Sequence, residues 1–121
     1  MKLYTVQMSK WRVAKRQCIP FVDTTVRTAP DHIFAPNWDM VMGHKSGELE
    51  NSAYTELYLR RMRRSYMERR EEWLAFLQKE TAAIACYCPA GAFCHRRLLI
   101  PILDAVAKKH GIAFEYMGEI S

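Results

Sequence analysis

Residues 82–88 read Ala-Ala-Ile-Ala-Cys-Tyr-Cys, an almost unbroken apolar run. Such a run is typical of a strand that is covered on both faces, whereas a strand with one solvent-exposed face alternates apolar and polar residues. Parallel strands cannot be joined by hairpins and need crossover connections, which are usually helices. This one segment therefore predicts an α/β fold in which helices cover both faces of a sheet.

The rest of the chain supplies strands and helices in alternation, as that fold requires. Short apolar or β-branched runs predict strands at residues 3–8, 19–25 and 112–117. Apolar residues three and four positions apart predict helices at residues 9–18, 38–44, 94–109 and from 51 onward with a bend near 65–69. Ser9 and either Asn51 or Ser52 are the expected N-caps, and Gly111 is the expected C-terminal cap. The expected fold is Rossmann-like α/β, with a mainly parallel four-stranded sheet flanked by helices on both faces.

Residues 26–36 contain Pro30 and Pro36 and show no sustained period, which predicts a loop. Because this loop follows a predicted strand, we expect it to close over a site at the edge of the sheet.

The composition is that of one globular domain spanning residues 1–121, with 50% hydrophobic and 26% charged residues. No apolar run approaches the roughly 20 residues that cross a bilayer, and residues 1–6 lack the pattern of a signal peptide. The sequence thus predicts a cytoplasmic protein with no membrane partner. The net charge of +5 favours anionic partners such as nucleotides, phosphorylated metabolites or nucleic acid.

Three of the four cysteines, Cys86, Cys88 and Cys94, lie within nine residues of one another. In a reducing compartment such a cluster indicates thiol chemistry or metal binding rather than disulfides. The segment ends in Cys94-His95-Arg96, where a helix is predicted to begin. Ligands of open parallel sheets bind beyond the carboxyl ends of the strands, and a helix N-terminus there favours an anion and lowers the pKa of a thiol.

Three interpretations of this segment compete. In the first, Cys94 is a thiolate nucleophile, His95 is a general acid or base, and Arg96 binds an anionic group of the substrate. In the second, Cys86, Cys88, Cys94 and His95 hold a zinc ion. In the third, Cys86 and Cys88 are small core residues, His95 is a hydrogen-bonded side chain at a helix start, and Arg96 is a surface ion.

The spacing of the four candidate ligands argues against a simple zinc site. On one face of a strand, Cys86 and Cys88 would hold their side chains about 7 Å apart. On a helix, the adjacent Cys94 and His95 would diverge by about 100°. The sequence therefore predicts no cofactor, and Zn²⁺ is the alternative.

Ser9 follows the first predicted strand and Asp23 lies near the end of the second, and both are expected to line one pocket together with Cys88. A carboxylate at a strand end can bond a ribose hydroxyl, orient His95, or only cap the loop. Six arginines between residues 60 and 70 form a basic belt, which can bind phosphates or be a solvated helix face paired with glutamates.

The triplet Cys94-His95-Arg96, followed by Leu98 and Leu99, resembles bacterial and phage proteins of the domain of unknown function 488 family. Residues 3–9 and 21–23 resemble the first two strands of that family, so the similarity covers most of the chain. The resemblance implies a Rossmann-like α/β fold and an enzyme of unknown reaction. Where the family has Asp-Val-Arg, this chain reads Asp-Thr-Thr-Val-Arg from residue 23, so Arg27 is the candidate for that arginine's role.

Together these features predict an enzyme that acts on a nucleotide-like or other phosphate-bearing substrate. The predicted catalytic residues are Cys94, His95 and Asp23, and the predicted substrate-binding residues are Ser9, Thr24, Arg27, Cys88, Gly91 and Arg96. One alternative is a non-catalytic protein that binds a nucleotide or contacts nucleic acid through Arg60, Arg61, Arg63 and Arg64. Another is a small zinc module.

Overall fold

The computed structural model describes residues 1–88 and 92–121, which form a four-stranded sheet and its covering helices. All strands are parallel, and their order in the sheet is β2-β3-β1-β4. The strands are β1 (Lys2–Gln7), β2 (Phe21–Asp23), β3 (Thr81–Cys86) and β4 (Glu115–Ile120). The strand predicted from the apolar run is β3, an inner strand in which every residue after Thr81 is buried. The predicted Rossmann-like α/β fold is confirmed.

Five α-helices connect the strands within the described residues. They are α1 (Trp11–Arg16), α2 (Trp38–Ser46), α3 (Asn51–Glu68), α4 (Arg70–Leu77) and α5 (His95–Lys109). A 3-10 turn at Met8–Lys10 precedes α1, so Ser9 lies inside this turn rather than capping a helix. The predicted bend in the long helical segment is confirmed, because Arg69 leaves helical geometry at φ −131° and separates α3 from α4.

The alternation of side chains along β1 and β3 divides the core between the two faces of the sheet. Leu3 and Ile84 pack with Leu99 and Leu103 of α5 on the face that α3 and α4 also cover. On the other face, Val6, Ala83 and Ala85 pack against Ala14 of α1. Helices therefore cover both faces, as the apolar run of β3 requires.

Several boundaries differ from the predicted ones. The strand β3 ends at Cys86, so Tyr87 and Cys88 belong to the bend that follows it. The strand β2 has only three residues, and β4 runs three residues later than predicted. The reason for the later start is that the amide of Ile112 still closes the C-terminus of α5 by donating to Ala107 O, and the chain reaches the sheet only where Glu115 N donates to Met1 O.

Two helix boundaries also bear on the predicted caps. Glu50, and not Asn51 or Ser52, is the N-cap of α3. The predicted terminator Gly111 has φ +68° just beyond the C-cap of α5, the left-handed geometry that favours glycine after a helix.

Residues 26–36 form an irregular segment that is held against α3. Tyr58 Oη donates to Phe34 O at 2.8 Å, Ser65 Oγ donates to Ile33 O at 2.8 Å, and Arg61 Nε donates to Ala35 O at 2.7 Å. Phe34 itself is fully buried. The predicted loop is therefore present, and it forms a fixed wall of the molecule whose carbonyl groups are bound by a helix.

None of the helices in the described ranges has both the length and the apolar character needed to cross a bilayer.

Candidate functional site

A cavity of about 230 Å³ lies beyond the carboxyl ends of β2 and β3. This is where a parallel sheet is expected to bind its ligand. The residues that line this cavity include three aromatic side chains, two cationic side chains, and a group of cysteine and histidine side chains near the strand ends. These residues are, respectively, Trp38, Tyr54 and Phe93; Arg27 and Lys45; and Cys86, Cys88, Cys94 and His95.

The ring of His95 is fixed by Thr24, the residue that follows β2. Thr24 Oγ1 donates to Ala85 O at 2.9 Å, so its oxygen accepts from His95 Nε2, also at 2.9 Å. The carbonyl oxygen of Thr24 accepts from the same Nε2 at 3.0 Å. Because a carbonyl can only accept, Nε2 carries the hydrogen and Nδ1 keeps a lone pair.

That lone pair faces the thiol of Cys94, since His95 Nδ1 lies 3.7 Å from Cys94 Sγ. Burial of the ring lowers the pKa of His95 to about 4, so the imidazole is neutral near pH 7. The sequence predicted that Cys94 and His95 act together, and the structure brings their reactive atoms together.

The sulfur atoms of Cys86, Cys88 and Cys94 all lie within 4.8 Å of one another. The distance between Cys86 Sγ and Cys94 Sγ is 2.6 Å. The 7 Å separation expected for Cys86 and Cys88 is wrong, because the strand ends at Cys86 and Cys88 lies beyond it. The divergence expected for Cys94 and His95 is also wrong, because Cys94 is the N-cap of α5 and has an extended backbone, at φ −159° and ψ 150°.

The three thiols change one another's acidity. Hydrogen bonds to Cys86 and Cys88, together with burial, raise the pKa of Cys94 above its ordinary value. Hydrogen bonds from Cys86 and Cys94 lower the pKa of Cys88. The helix N-terminus alone favoured Cys94 as the thiolate, whereas the neighbouring thiols and burial act in the opposite direction on its pKa.

Arg96 lies behind the thiols and is fully buried. Its Nη1 donates to Cys86 Sγ and to Cys88 O, both at 2.7 Å, and its Nη2 forms an ion pair with Glu119 of β4 at 3.2 Å. The interpretation of Arg96 as a surface ion is therefore wrong. Arg96 is not among the described residues that line the cavity, so its predicted contact with a substrate has no support in this geometry.

Asp23 binds the turn that follows it. Its Oδ1 accepts from the amide of Thr25 at 2.8 Å and from Thr25 Oγ1 at 2.7 Å, while Oδ2 accepts from Thr28 Oγ1. This is the loop-capping arrangement among the alternatives for Asp23. Ser9 is exposed on its 3-10 turn. Neither residue is among the described residues that line the cavity.

The remaining predicted residues differ in position. Arg27 is exposed at the cavity, and Cys88 is half-buried and lines it. Thr24 reaches the site through His95, as a positioning residue. Gly91 lies outside the described residues.

Most of the predicted nucleic-acid contacts have partners within the protein. Arg60 pairs with Glu56 at 2.7 Å, and Arg64 pairs with Glu68 at 2.9 Å, each one helical turn apart. Arg61 is the residue that donates to Ala35 O, and Arg63 is exposed. Nucleic-acid binding through this belt stays a prediction.

The sequence did not indicate the aromatic wall of the cavity. The ring of Phe93 lies 5.5 Å from that of Tyr54 and 5.0 Å from that of His44. In the sequence, Trp38 and Tyr54 were visible only as members of segments with a predicted helical pattern. Their convergence depends on how α2 and α3 cross the sheet, for which the sequence carries no local signal.

The parallel sheet and the Cys-His-Arg site beyond its strand ends define an α/β protein of Rossmann-like class. The family model described as DUF488-N3a, the active DUF488-N3 subclade, matches residues 21–107, well over half of the chain. The chain therefore belongs to the DUF488 family, which confirms the resemblance. No curated protein and no solved structure shows significant similarity to this chain.

Proposed function

We propose that this protein is an enzyme that acts on a nucleotide-like substrate in the cavity at the carboxyl ends of β2 and β3. The proposal is carried by one arrangement: an oriented His95 and a thiol cluster share a cavity with aromatic walls and two cations. Aromatic walls accept a planar ring by stacking. Arg27 and Lys45 can bind the phosphate of a substrate whose ring enters the cavity.

His95 has the role of a proton acceptor in this proposal. Its Nε2–H is held by Thr24, so its free Nδ1 faces the thiol of Cys94. An imidazole held in one tautomer by its other nitrogen is the usual state of a general base. The predicted pair Cys94–His95 therefore marks the place where the substrate reacts. The description of the matched subclade as active agrees with catalysis.

The first test is calorimetric binding of a panel of nucleoside monophosphates to the purified protein, beside the corresponding nucleosides. We expect the monophosphates to bind more tightly. The double variant Arg27→Gln, Lys45→Gln should weaken their binding at least about 10-fold, because a hydrogen bond to a charged group contributes about 1.5–3 kcal/mol. The matched control is Lys10→Gln, Arg16→Gln, which removes the same charge outside the cavity lining and should leave binding unchanged.

The second test follows the same nucleotides by mass spectrometry after incubation with the protein. We expect a product from at least one of them, and we expect His95→Asn to keep binding but lose turnover. Absence of nucleotide binding by the wild-type chain, or an equal loss in the control variant, would overturn the proposal. Binding without turnover of any nucleotide would support the non-catalytic alternative instead.

A further inference from the structure

The strongest feature that the proposed function leaves unassigned is the convergence of Cys86, Cys88 and Cys94. These residues come from three different places: the end of β3, the bend after it, and the N-cap of α5. Packing alone requires one small side chain at each place and does not require three sulfur atoms to meet. We propose that the three thiolates bind one Zn²⁺ ion, and this inference rests on the proposed function in placing that ion at the same cavity.

The distances suit this ion. All three Sγ atoms lie within 4.8 Å of one another. In a tetrahedral site with Zn–S bonds of about 2.3 Å, the sulfurs stand about 3.8 Å apart. Cys86 Sγ and Cys94 Sγ, at 2.6 Å, would move apart by about 1 Å to reach this spacing. One of these residues ends a strand and the other caps a helix, so small side-chain rotations achieve this.

The buried guanidinium of Arg96 places a positive charge next to the three thiols. Three thiolates and one Zn²⁺ carry a net charge of −1, which would be costly to bury without a cation. Arg96 is fully buried, and its Nη1 lies 2.7 Å from Cys86 Sγ and 3.7 Å from Cys94 Sγ. Its guanidinium therefore places a positive charge against the sulfurs and donates hydrogen bonds to two of them, while its Nη2 stays paired with Glu119.

The chemistry of the ligands selects the metal. Thiolates are soft ligands and favour Zn²⁺ over Mg²⁺ or Ca²⁺, which prefer oxygen. Zinc sites with three protein ligands keep a fourth position open for water or substrate and are the catalytic type. Cys88 lines the cavity and is half-buried, so a fourth ligand would reach the ion from the substrate pocket.

This assignment changes the role of one predicted residue. A Cys94 that binds zinc is a ligand and not a nucleophile. His95 keeps its role as proton acceptor, now beside the open position of the metal. Regular strand and helix geometry would separate these ligands, but the chain leaves that geometry at both Cys88 and Cys94.

The test uses the full chain, stripped of metal by a chelator under reducing conditions and then titrated with Zn²⁺ or Co²⁺ alone. We expect one ion per chain by elemental analysis. With Co²⁺ we expect sulfur-to-metal charge-transfer bands and the intense visible absorption of a tetrahedral thiolate site. Zn²⁺ should also protect Cys86, Cys88 and Cys94 from iodoacetamide, while the exposed Cys18 is labelled at an unchanged rate.

The variant Cys88→Ser is the main comparison, because Cys88 is the least buried of the three ligands and its replacement is the least disruptive. It should lower the affinity for Zn²⁺ by more than about 10-fold, a loss that even the outer contacts of a metal site typically cause. Cys18→Ser is the matched control and should bind Zn²⁺ as the wild type does. Circular dichroism of each metal-free variant shows whether it is folded.

A stoichiometry well below one ion per chain, or a folded Cys88→Ser variant with wild-type affinity, would overturn the zinc site. Nucleotide binding is measured separately and depends on Arg27 and Lys45. A chain that binds nucleotide but no zinc would therefore refute only the metal site, and a chain that binds zinc but no nucleotide would refute only the proposed substrate.

Discussion

At the scale of single residues, Asp23 holds the turn after β2 through its carboxylate. Burial raises the pKa of Asp23, but the hydrogen bonds from Thr25 and Thr28 outweigh it and bring the pKa below the ordinary value of 3.8. A carboxylate whose pKa is lower in the folded state than in the unfolded state stabilises the protein at pH values above the unfolded-state pKa. This stabilisation is lost as the pH falls through the folded-state pKa.

We therefore expect Asp23→Asn to reduce the free energy of unfolding at pH 7, and we expect the difference from the wild type to shrink below pH 3.8. Urea unfolding at several pH values between 7 and about 2 measures this difference. Thr28→Val, which removes one of the hydrogen bonds, should give a smaller difference with the same pH dependence. A difference that stays constant down to the lowest pH would contradict this role of Asp23.

The location of the site could be predicted at this scale, but the partners of its side chains could not. Cys94, His95 and Arg96 were recognisable because three chemically unusual residues stand together where a helix begins. Which way each one points depends on residues far away in the chain. Arg96 is the clearest case, since its partner Glu119 is 23 residues away and no sequence pattern links the two.

At the scale of the elements, Gly47 ends α2 in the left-handed region, at φ +84°. Its amide donates to His44 O, so the helix that carries Trp38 into the cavity wall stops there. An alanine strains this conformation, and we expect Gly47→Ala to lower the free energy of unfolding by about 1 kcal/mol.

Gly43, inside the same helix, is the control for this prediction. A Cβ at that position would lie 3.4 Å from Leu49 Cβ, and alanine favours a helix over glycine by about 1 kcal/mol. Gly43→Ala should therefore leave stability unchanged or raise it. Thermal unfolding followed by circular dichroism measures both variants, and equal losses would show that backbone conformation is not the cause.

The elements themselves were predictable where their patterns are long. The apolar run of β3 and the helical periods of α3 and α5 each predicted the right element. Their ends were harder, because a strand ends where its neighbour stops pairing with it. The last residue of β2, Asp23, pairs with Ala85, and β1 pairs with β3 only as far as Cys86. Cys88, which lies beyond the paired part of β3, is then free to turn toward Cys94.

At the scale of the whole molecule, the ion pair between Arg96 and Glu119 joins α5 to β4. The Arg96 side chain is fully buried and that of Glu119 is 13% exposed. Removal of one partner leaves a buried charge without compensation, which typically costs about 3–5 kcal/mol. We expect Glu119→Ala to destabilise the protein by about 3 kcal/mol in urea unfolding.

The matched control is Asp104→Ala, which breaks the exposed pair with Lys108 and should change stability by less than about 1 kcal/mol. If both variants lose the same amount, the buried pair has no special role.

The fold class followed from the sequence because a buried parallel strand excludes most other architectures. The strand order could not be predicted from the sequence, because pairing between distant strands leaves no local pattern. The cavity could not be predicted for the same reason. Its wall combines residues 27, 38, 54 and 93, which come together only when the sheet has assembled.

The strand order also determines when the chain can fold during its synthesis. The inner strand β1 has two neighbours, residues 81–86 and 115–120, and both follow it in the sequence. Domains form as units as the chain leaves the ribosome, and pairing between distant segments is slow. The backbone of β1 therefore has no strand to pair with until residues 81–86 have been synthesised.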